Sequence, residues 1–195
     1  MSDVLHEVLE ANRAFAAEFG DRGLLKAPPV RRFTVLTCMD SRIDPAKFAG
    51  LADGDANVIR NAGGRASDDV IRALVVSSKL MGTQEWFVVH HAECGMQMIT
   101  NEVLADLLSE SLGPSIHDGT SWVNTDPDSG DGSPEGRFLN FLTFEDLERS
   151  VVDDVIRIRH HPLVSPKIRI YGFIYDVYTG LLREVPEASA IGAVK

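Results

Sequence analysis

Hydrophobic and polar positions follow two rhythms along this chain. Val4, Leu5, Val8, Leu9, Ala11 and Phe15 recur near a 3.6-residue period, and Gly20 lies beyond the end of that run. The spacing predicts an amphipathic helix within residues 1–20 whose apolar stripe must pack on something. Ala27, Pro28 and Pro29 then break the chain. Phe33, Thr34, Val35, Leu36 and Thr37 form a short β-rich run, with Cys38 directly at its carboxyl end. Ala56, Asn57, Val58 and Ile59 give a second strand candidate. Trp86, Phe87, Val88 and Val89 give a third, continuous and apolar, of the kind buried on both faces of a parallel sheet.

Between these runs the period lengthens again. Ser67, with Asp68 and Asp69, opens a predicted helix through Val70, Ile71, Leu74, Val75 and Leu80, ended near Gly82. A further helix is predicted over about 101–112, with Val103, Leu104, Leu107 and Leu108 on one face. Thr143 and Asp146 read as an N-cap and a first-turn carboxylate. The helix they open carries Phe144, Leu147, Val151, Val155 and Ile158 and stops at Pro162. Ile168 to Val177 reads as a strand, and Thr179-Gly180 as a turn into Leu181–Val185. The last ten residues read as a loose tail, and no internal repeat is found. Strands alternating with helices predict an α/β fold with a mainly parallel sheet, whose ligands gather at the carboxyl ends of the strands.

One stretch departs from both rhythms. Residues 113–137 are rich in Gly, Ser, Asp and Pro, a long surface loop for a domain of this size. We expect it to fold over an active site or a partner chain. The 195 residues otherwise suit a single domain, 1–195, and the 44% hydrophobic content suits a packed core.

Charge narrows the function classes. With 19 basic and 29 acidic side chains the net charge is −10. Phosphate binding needs a basic face, so nucleic acid is not expected as a partner. No apolar run approaches the roughly 18 residues that span a bilayer. The first nine residues carry Asp3, Glu7 and no basic cluster, unlike a secretory leader. A cytoplasmic protein without a membrane partner is expected.

The chain has two cysteines, Cys38 and Cys94. Buried thiols, a redox pair and metal ligands are all open readings. Cys38 begins the cluster Cys38-Met39-Asp40-Ser41-Arg42, and Cys94 closes the cluster His91-Ala92-Glu93-Cys94. Two thiolates and an imidazole suit zinc, and three protein ligands leave one tetrahedral position open. His90, next to His91, points elsewhere by strand alternation and reads as structural. His160 and His161 read as a solvated helix end, and His117 as one of three candidate proton shuttles with them.

Three motifs taken together carry a resemblance. Cys38-x-Asp40-Ser41-Arg42, Arg60-Asn61-Ala62-Gly63-Gly64 and His91-x-x-Cys94-Gly95 resemble the β-class carbonic anhydrase family in order and spacing. Gly172-Phe173-Ile174-Tyr175-Asp176-Val177-x-Thr179-Gly180 is similar to its short-chain microbial branch, which also includes carbonyl sulfide and carbon disulfide hydrolases. The resemblance implies four parallel strands plus an antiparallel edge strand, and a homodimer or higher homo-oligomer in which the N-terminal helix packs on the partner. It implies one zinc ion per chain, held by Cys38, His91 and Cys94, that activates water to attack carbon dioxide and yield bicarbonate. Asp40 and Arg42 would form a dyad in which Asp40 orients the attacking hydroxide. Gly63 and Gly64 would offer backbone N–H groups to substrate or anion. In some members the aspartate moves onto the zinc and closes the site, so Asp40 is also a candidate fourth ligand. A closed site of that kind is the non-catalytic, zinc-sensing alternative. The larger plant-type members carry a substrate-binding glutamine upstream of the first cysteine. Here Gln84 and Gln97 are both downstream, which leaves carbonyl sulfide and carbon disulfide as alternative substrates.

Overall fold

Five apolar runs become the strands of one sheet in a computed structural model that describes residues 2–194. They are β1 (Phe33–Cys38), β2 (Asn57–Asn61), β3 (Glu85–His91), β6 (Arg169–Tyr175) and β7 (Leu182–Glu184). The order is β2-β1-β3-β6-β7, with β4 (Ser115–His117) and β5 (Trp122–Asn124) set apart as a small hairpin. The first four strands run parallel and β7 pairs antiparallel with β6, as the motif resemblance implies.

β1 is buried at every position, although Thr34 and Thr37 interrupt its apolar run. Their hydroxyls are satisfied internally, Thr34 Oγ1 donating to Ser77 Oγ at 3.1 Å and Thr37 Oγ1 to the Val89 carbonyl at 2.9 Å. Burial without a partner would cost far more than the hydroxyl gains. One face of the sheet is covered by α3 (Asp68–Met81), α5 (Leu147–Arg159) and α6 (Pro186–Ile191), whose apolar residues share a core with Leu36, Trp86, Val88 and Ile170. The other face carries Phe33, Val35, Val89, Phe87 and Phe173 and packs against short elements such as α2 (Pro45–Phe48). Phe87 stacks there on Tyr171 at 4.9 Å and on Phe173 at 6.0 Å.

α1 (Asp3–Ala17) forms as its stripe predicts, capped by Ser2 Oγ, yet none of its residues is buried. Val4 and Val8 are 67% and 59% exposed, so this chain does not cover the stripe. α3 starts at the Ser67 cap and ends at Gly82, where the spacing placed it. α4 (Asn101–Glu110) stops two residues short of Leu112, because Ser111 turns extended.

Three expectations need correction. The helix expected from Thr143 is capped by Asp146, whose carboxylate accepts from Arg149 N at 2.9 Å. Thr143 and Phe144 precede it, and it ends at Arg159 with His160 as its cap. The tail is not loose: α6 occupies it, with Ala188 fully buried. Gly172 makes the room, since a Cβ there would meet Ala188 Cβ at 2.5 Å and Val151 Cγ1 at 2.7 Å. Arg159 ties the end down by donating to the carbonyls of Ile168 and Gly192. The aperiodic stretch 113–137 holds local structure, namely β4 (Ser115–His117) paired antiparallel with β5 (Trp122–Asn124). It lies along α4, with Trp122 Nε1 donating to the Met98 carbonyl at 3.0 Å and Ser133 N to the Leu108 carbonyl at 2.7 Å.

Candidate metal centre

Cys38 is the last residue of β1 and His91 the last of the adjacent β3. Cys94 follows in the turn after β3, just before a tight 3-10 turn over Gly95–Gln97. All three are buried, and their ligand atoms lie within 4.8 Å of one another. Sequence positions 56 residues apart therefore meet because parallel neighbours end at the same edge of the sheet.

The imidazole of His91 is set up to ligate. Its Nδ1 lies 2.9 Å from the Ala92 carbonyl, which can only accept. Nδ1 therefore carries the proton, and Nε2 presents a lone pair. That Nε2 is buried and has no hydrogen-bond partner in the protein. An orphaned imidazole nitrogen beside two thiol sulfurs is costly unless something binds there, and the S, N, S donor set fits zinc.

The two thiols hydrogen-bond each other. Hydrogen bonding from the Cys94 thiol is the main cause that lowers the Cys38 pKa to about 4, against its burial. The backbone N–H groups of Asp40 and Gly63 add to the effect. The same contact, with burial, pushes the Cys94 thiol up. Both thiols are free, with no disulfide. A divalent cation between them would let both ionise.

Asp40 and Arg42 stand beside this triad on a tight turn. Arg42 N donates to Asp40 Oδ1 at 2.8 Å, and the guanidinium grips the carboxylate through Nε to Oδ1 at 3.1 Å and Nη2 to Oδ2 at 2.7 Å. This fork is the main reason the Asp40 pKa falls to about 2. Asp40 Oδ2 is 3.9 Å from His91 Nε2, so the carboxylate borders the triad while paired with Arg42.

Gly63 and Gly64 lie against the carboxyl end of β1 and the Met96 turn. Gly64 has φ of +67°, and a Cβ on it would lie 2.9 Å from Cys38 N. Only glycine lets this loop press on the β1 end. The Gly63 N–H is directed at the Cys38 sulfur.

Several residues that matter here were not singled out by sequence. Arg60, inside the second motif, clamps the first: its Nε donates to the Cys38 carbonyl at 2.9 Å and its Nη2 to the Asp40 carbonyl at 2.7 Å. Asn61 holds the glycine turn by exchanging hydrogen bonds with the Arg65 backbone. Arg65 is buried and pairs with Asp154 of α5 at 2.8 Å and 3.1 Å. His90, turned away from the triad as alternation predicts, bonds Ser150 Oγ at 2.8 Å and Asp154 at 3.1 Å. Burial alone would raise the Asp154 pKa, but hydrogen bonds from His90 and Arg65 outweigh it and the shift is downward. The motif Arg60–Gly64 signalled Arg60 and Asn61, whereas nothing local marks Asp154. His117 packs edge-on to Trp122 at 5.6 Å, and His160 caps α5 with His161 following.

Comparison with known proteins agrees with this geometry. A model of the carbonic anhydrase family matches residues 33–182. Beta-carbonic anhydrase 1 of Mycobacterium tuberculosis is 33% identical over 182 residues, covering 93% of this chain and 98% of that protein. A carbon disulfide hydrolase of Acidianus sp. is 32% identical over 190 residues, covering 93% and 90%. The solved carbonic anhydrase of Glaciozyma antarctica superposes with a TM-score of 0.78 at 36% identity, covering 95% of this chain and 99% of that one. A two-thiol, one-imidazole cluster at the ends of a parallel sheet, with its aspartate–arginine neighbour, thus sits in a chain that belongs to the β-carbonic anhydrase family.

Proposed function

We propose that this protein reversibly hydrates carbon dioxide to bicarbonate, with one zinc ion held by Cys38, His91 and Cys94. The observation that carries this reading is the buried triad itself, with the unpartnered Nε2 of His91 facing two sulfurs. When bound there, zinc lowers the pKa of water to about 7 and so makes hydroxide available at neutral pH. The chain supplies the rest. Gly63 N–H and Asp40 N–H support the Cys38 thiolate, and Met96 N–H supports Cys94. The Asp40 carboxylate, kept ionised by Arg42, accepts a proton-bearing hydrogen bond from the attacking oxygen and so turns a lone pair toward the carbon of carbon dioxide. The Gly63–Gly64 backbone faces the anionic product, in keeping with the donor it already offers to a negatively charged sulfur.

A second reading is hydrolysis of carbonyl sulfide or carbon disulfide by the same residues, favoured by the likeness to the Acidianus hydrolase. Stopped-flow carbon dioxide hydration, run beside sulfide release from both alternatives, separates the two. Fast hydration with little sulfide is the expected result. Fast sulfide release without hydration would overturn the first reading in favour of the second. A closed, non-catalytic site is disfavoured by the bidentate hold of Arg42 on Asp40.

The functional unit is a homodimer. Support comes from two unpartnered surfaces: the exposed stripe of α1 and the sheet face of Phe87, Tyr171 and Phe173. A second copy of the chain would cover both. The free, buried thiols suit a reducing cytoplasm. Among the described residues no helix is long and apolar enough to cross a membrane.

A further inference from the structure

The Asp40–Arg42 pair has an outer support that neither motif accounts for. The Arg42 side chain is 47% exposed, and an exposed ion pair by itself holds its partners loosely. Here the guanidinium meets a third and a fourth acceptor. Its Nη1 is 3.6 Å from Glu93 Oε2, and its Nη2 donates to the Glu93 carbonyl at 3.3 Å. Glu93 is fixed in turn by Tyr178, whose hydroxyl donates to Glu93 Oε1.

Two features mark this arrangement as more than a surface contact. Glu93 lies between His91 and Cys94 with φ of +56°, a left-handed conformation in which a long side chain is disfavoured. Glycine or asparagine would rest there more easily, so the side chain has a use. Tyr178 stands on a firm base despite its exposure. Tyr178 N and Thr179 N both donate to Asp176 Oδ1, at 2.8 Å and 3.2 Å, and Ala92 N donates to the Tyr175 carbonyl at 3.0 Å. The β6–β7 turn is thereby braced internally and joined to the His91–Cys94 loop just before the tyrosine. The residue is 75% exposed, so packing does not account for its placement, whereas the hydroxyl contact does.

We propose that Glu93 and Tyr178 are positioning residues for the reaction, holding the Arg42 guanidinium in the plane that fixes the Asp40 carboxylate. The proposal rests on the reading of Asp40 and Arg42 given above. Arg42 presents three nitrogens in one plane. Asp40 takes the Nε and Nη2 edge, and Glu93 takes the Nη1 end and the backbone side of Nη2. With both in place, rotation about Nε–Cζ must break contacts to two carboxylates. Without the Glu93 carboxylate, or with it released by Tyr178, Nη1 loses its acceptor and only the Asp40 fork and the main-chain carbonyl at position 93 remain.

The test uses the zinc-loaded protein and reads Arg42 directly. The Arg42 Nε–H signal is followed by nitrogen-15 NMR in the native protein, Tyr178→Phe and Glu93→Gly. Tyr178→Phe removes one exposed hydroxyl. Glu93→Gly relieves the positive φ, so the fold is retained while the support is lost. Severalfold faster Nε–H exchange and guanidinium rotation are expected in both variants, with kcat/KM for hydration reduced roughly tenfold as for other outer supports of a metal site. An Arg42 signal unchanged in both variants would overturn the proposal, as would lost activity without any change at Arg42. Because this signal is read without turnover, failure of the native protein to hydrate carbon dioxide would fall on the functional reading alone.

Discussion

His91 and its neighbours decide the chemistry one atom at a time. The proton on Nδ1 is committed to the Ala92 carbonyl, which leaves Nε2 buried and unpartnered unless a cation is bound. Removing one ligand breaks the three-donor set while the surrounding core stays packed, so the metal is lost before the fold. Cys94→Ser and His91→Ala are therefore expected to lose bound zinc, measured by elemental analysis, and to lack the zinc-dependent rise in thermal midpoint that the native protein shows on mass-action grounds. Asp154 sets a different requirement. Its carboxylate is buried among Arg65 and His90, so Asp154→Asn leaves a buried guanidinium without its counter-charge, at a cost of about 3 kcal/mol in chemical denaturation. The pH dependence has a definite sign. The folded pKa of Asp154 is depressed, so the unfolded chain binds more protons. Its contribution is complete above the unfolded carboxylate value of about 3.9 and is lost as pH falls below it. The stability gap between native and Asp154→Asn protein should be wide at neutral pH and narrow in acid. A gap that widened in acid would contradict this assignment. The three ligands were legible because thiol and imidazole chemistry marks them wherever they stand. Asp154 was not, because one carboxylate among 29 acidic residues reads as surface until its partners are known.

The elements divide by where their information lies. β1, β2 and β3 were readable because each holds a run of apolar residues ending at a motif, and parallel pairing then brought Cys38 opposite Asn61 and His91 opposite Tyr175. α3 was readable from cap to cap, since Ser67 and Gly82 carry the signals locally. α6 was hidden for a physical reason. Six residues do not complete two turns, and such a helix has little stability of its own. It forms because Pro186 starts it and because α5 and β6 offer it a bed. The bed exists only while position 172 lacks a side chain. Gly172→Ala should therefore force α6 away from β6 and cost about 1–3 kcal/mol by overpacking, seen as a lower thermal midpoint. Protease sensitivity confined to the last ten residues would accompany it, since the rest of the sheet does not depend on that contact. An unchanged midpoint would mean that the α6 packing is looser than its geometry states. The hairpin of β4 and β5 was missed differently. Its strands have three residues each, too few for an alternation to register, and the Trp122 indole has one hydrogen bond, to the Met98 carbonyl.

At the scale of the whole molecule the open question is what covers α1. Amphipathicity in the sequence required a surface, and the fold supplies none within the chain, since no residue of α1 is buried. The sheet repeats the pattern in reverse. Helices α3, α5 and α6 cover one face, while Phe87, Tyr171 and Phe173 on the other remain half-buried. Covering both surfaces with a second copy removes apolar area from water at roughly 25 cal/mol per Å², which must exceed the cost of association and the repulsion of two chains each at −10. That repulsion is screened by salt, so the association should tighten modestly as ionic strength rises. The decisive variant is Leu5→Glu with Leu9→Glu. Both residues are exposed on α1, so the substitutions leave the core of the folded chain untouched. In sedimentation equilibrium the native protein is expected at twice the chain mass or more, and the double variant at the chain mass, with an unchanged circular dichroism spectrum apart from any fraying of α1. A variant that stayed associated would move the interface off α1 and leave its stripe without an occupant. A native protein found as a monomer would remove the dimer altogether.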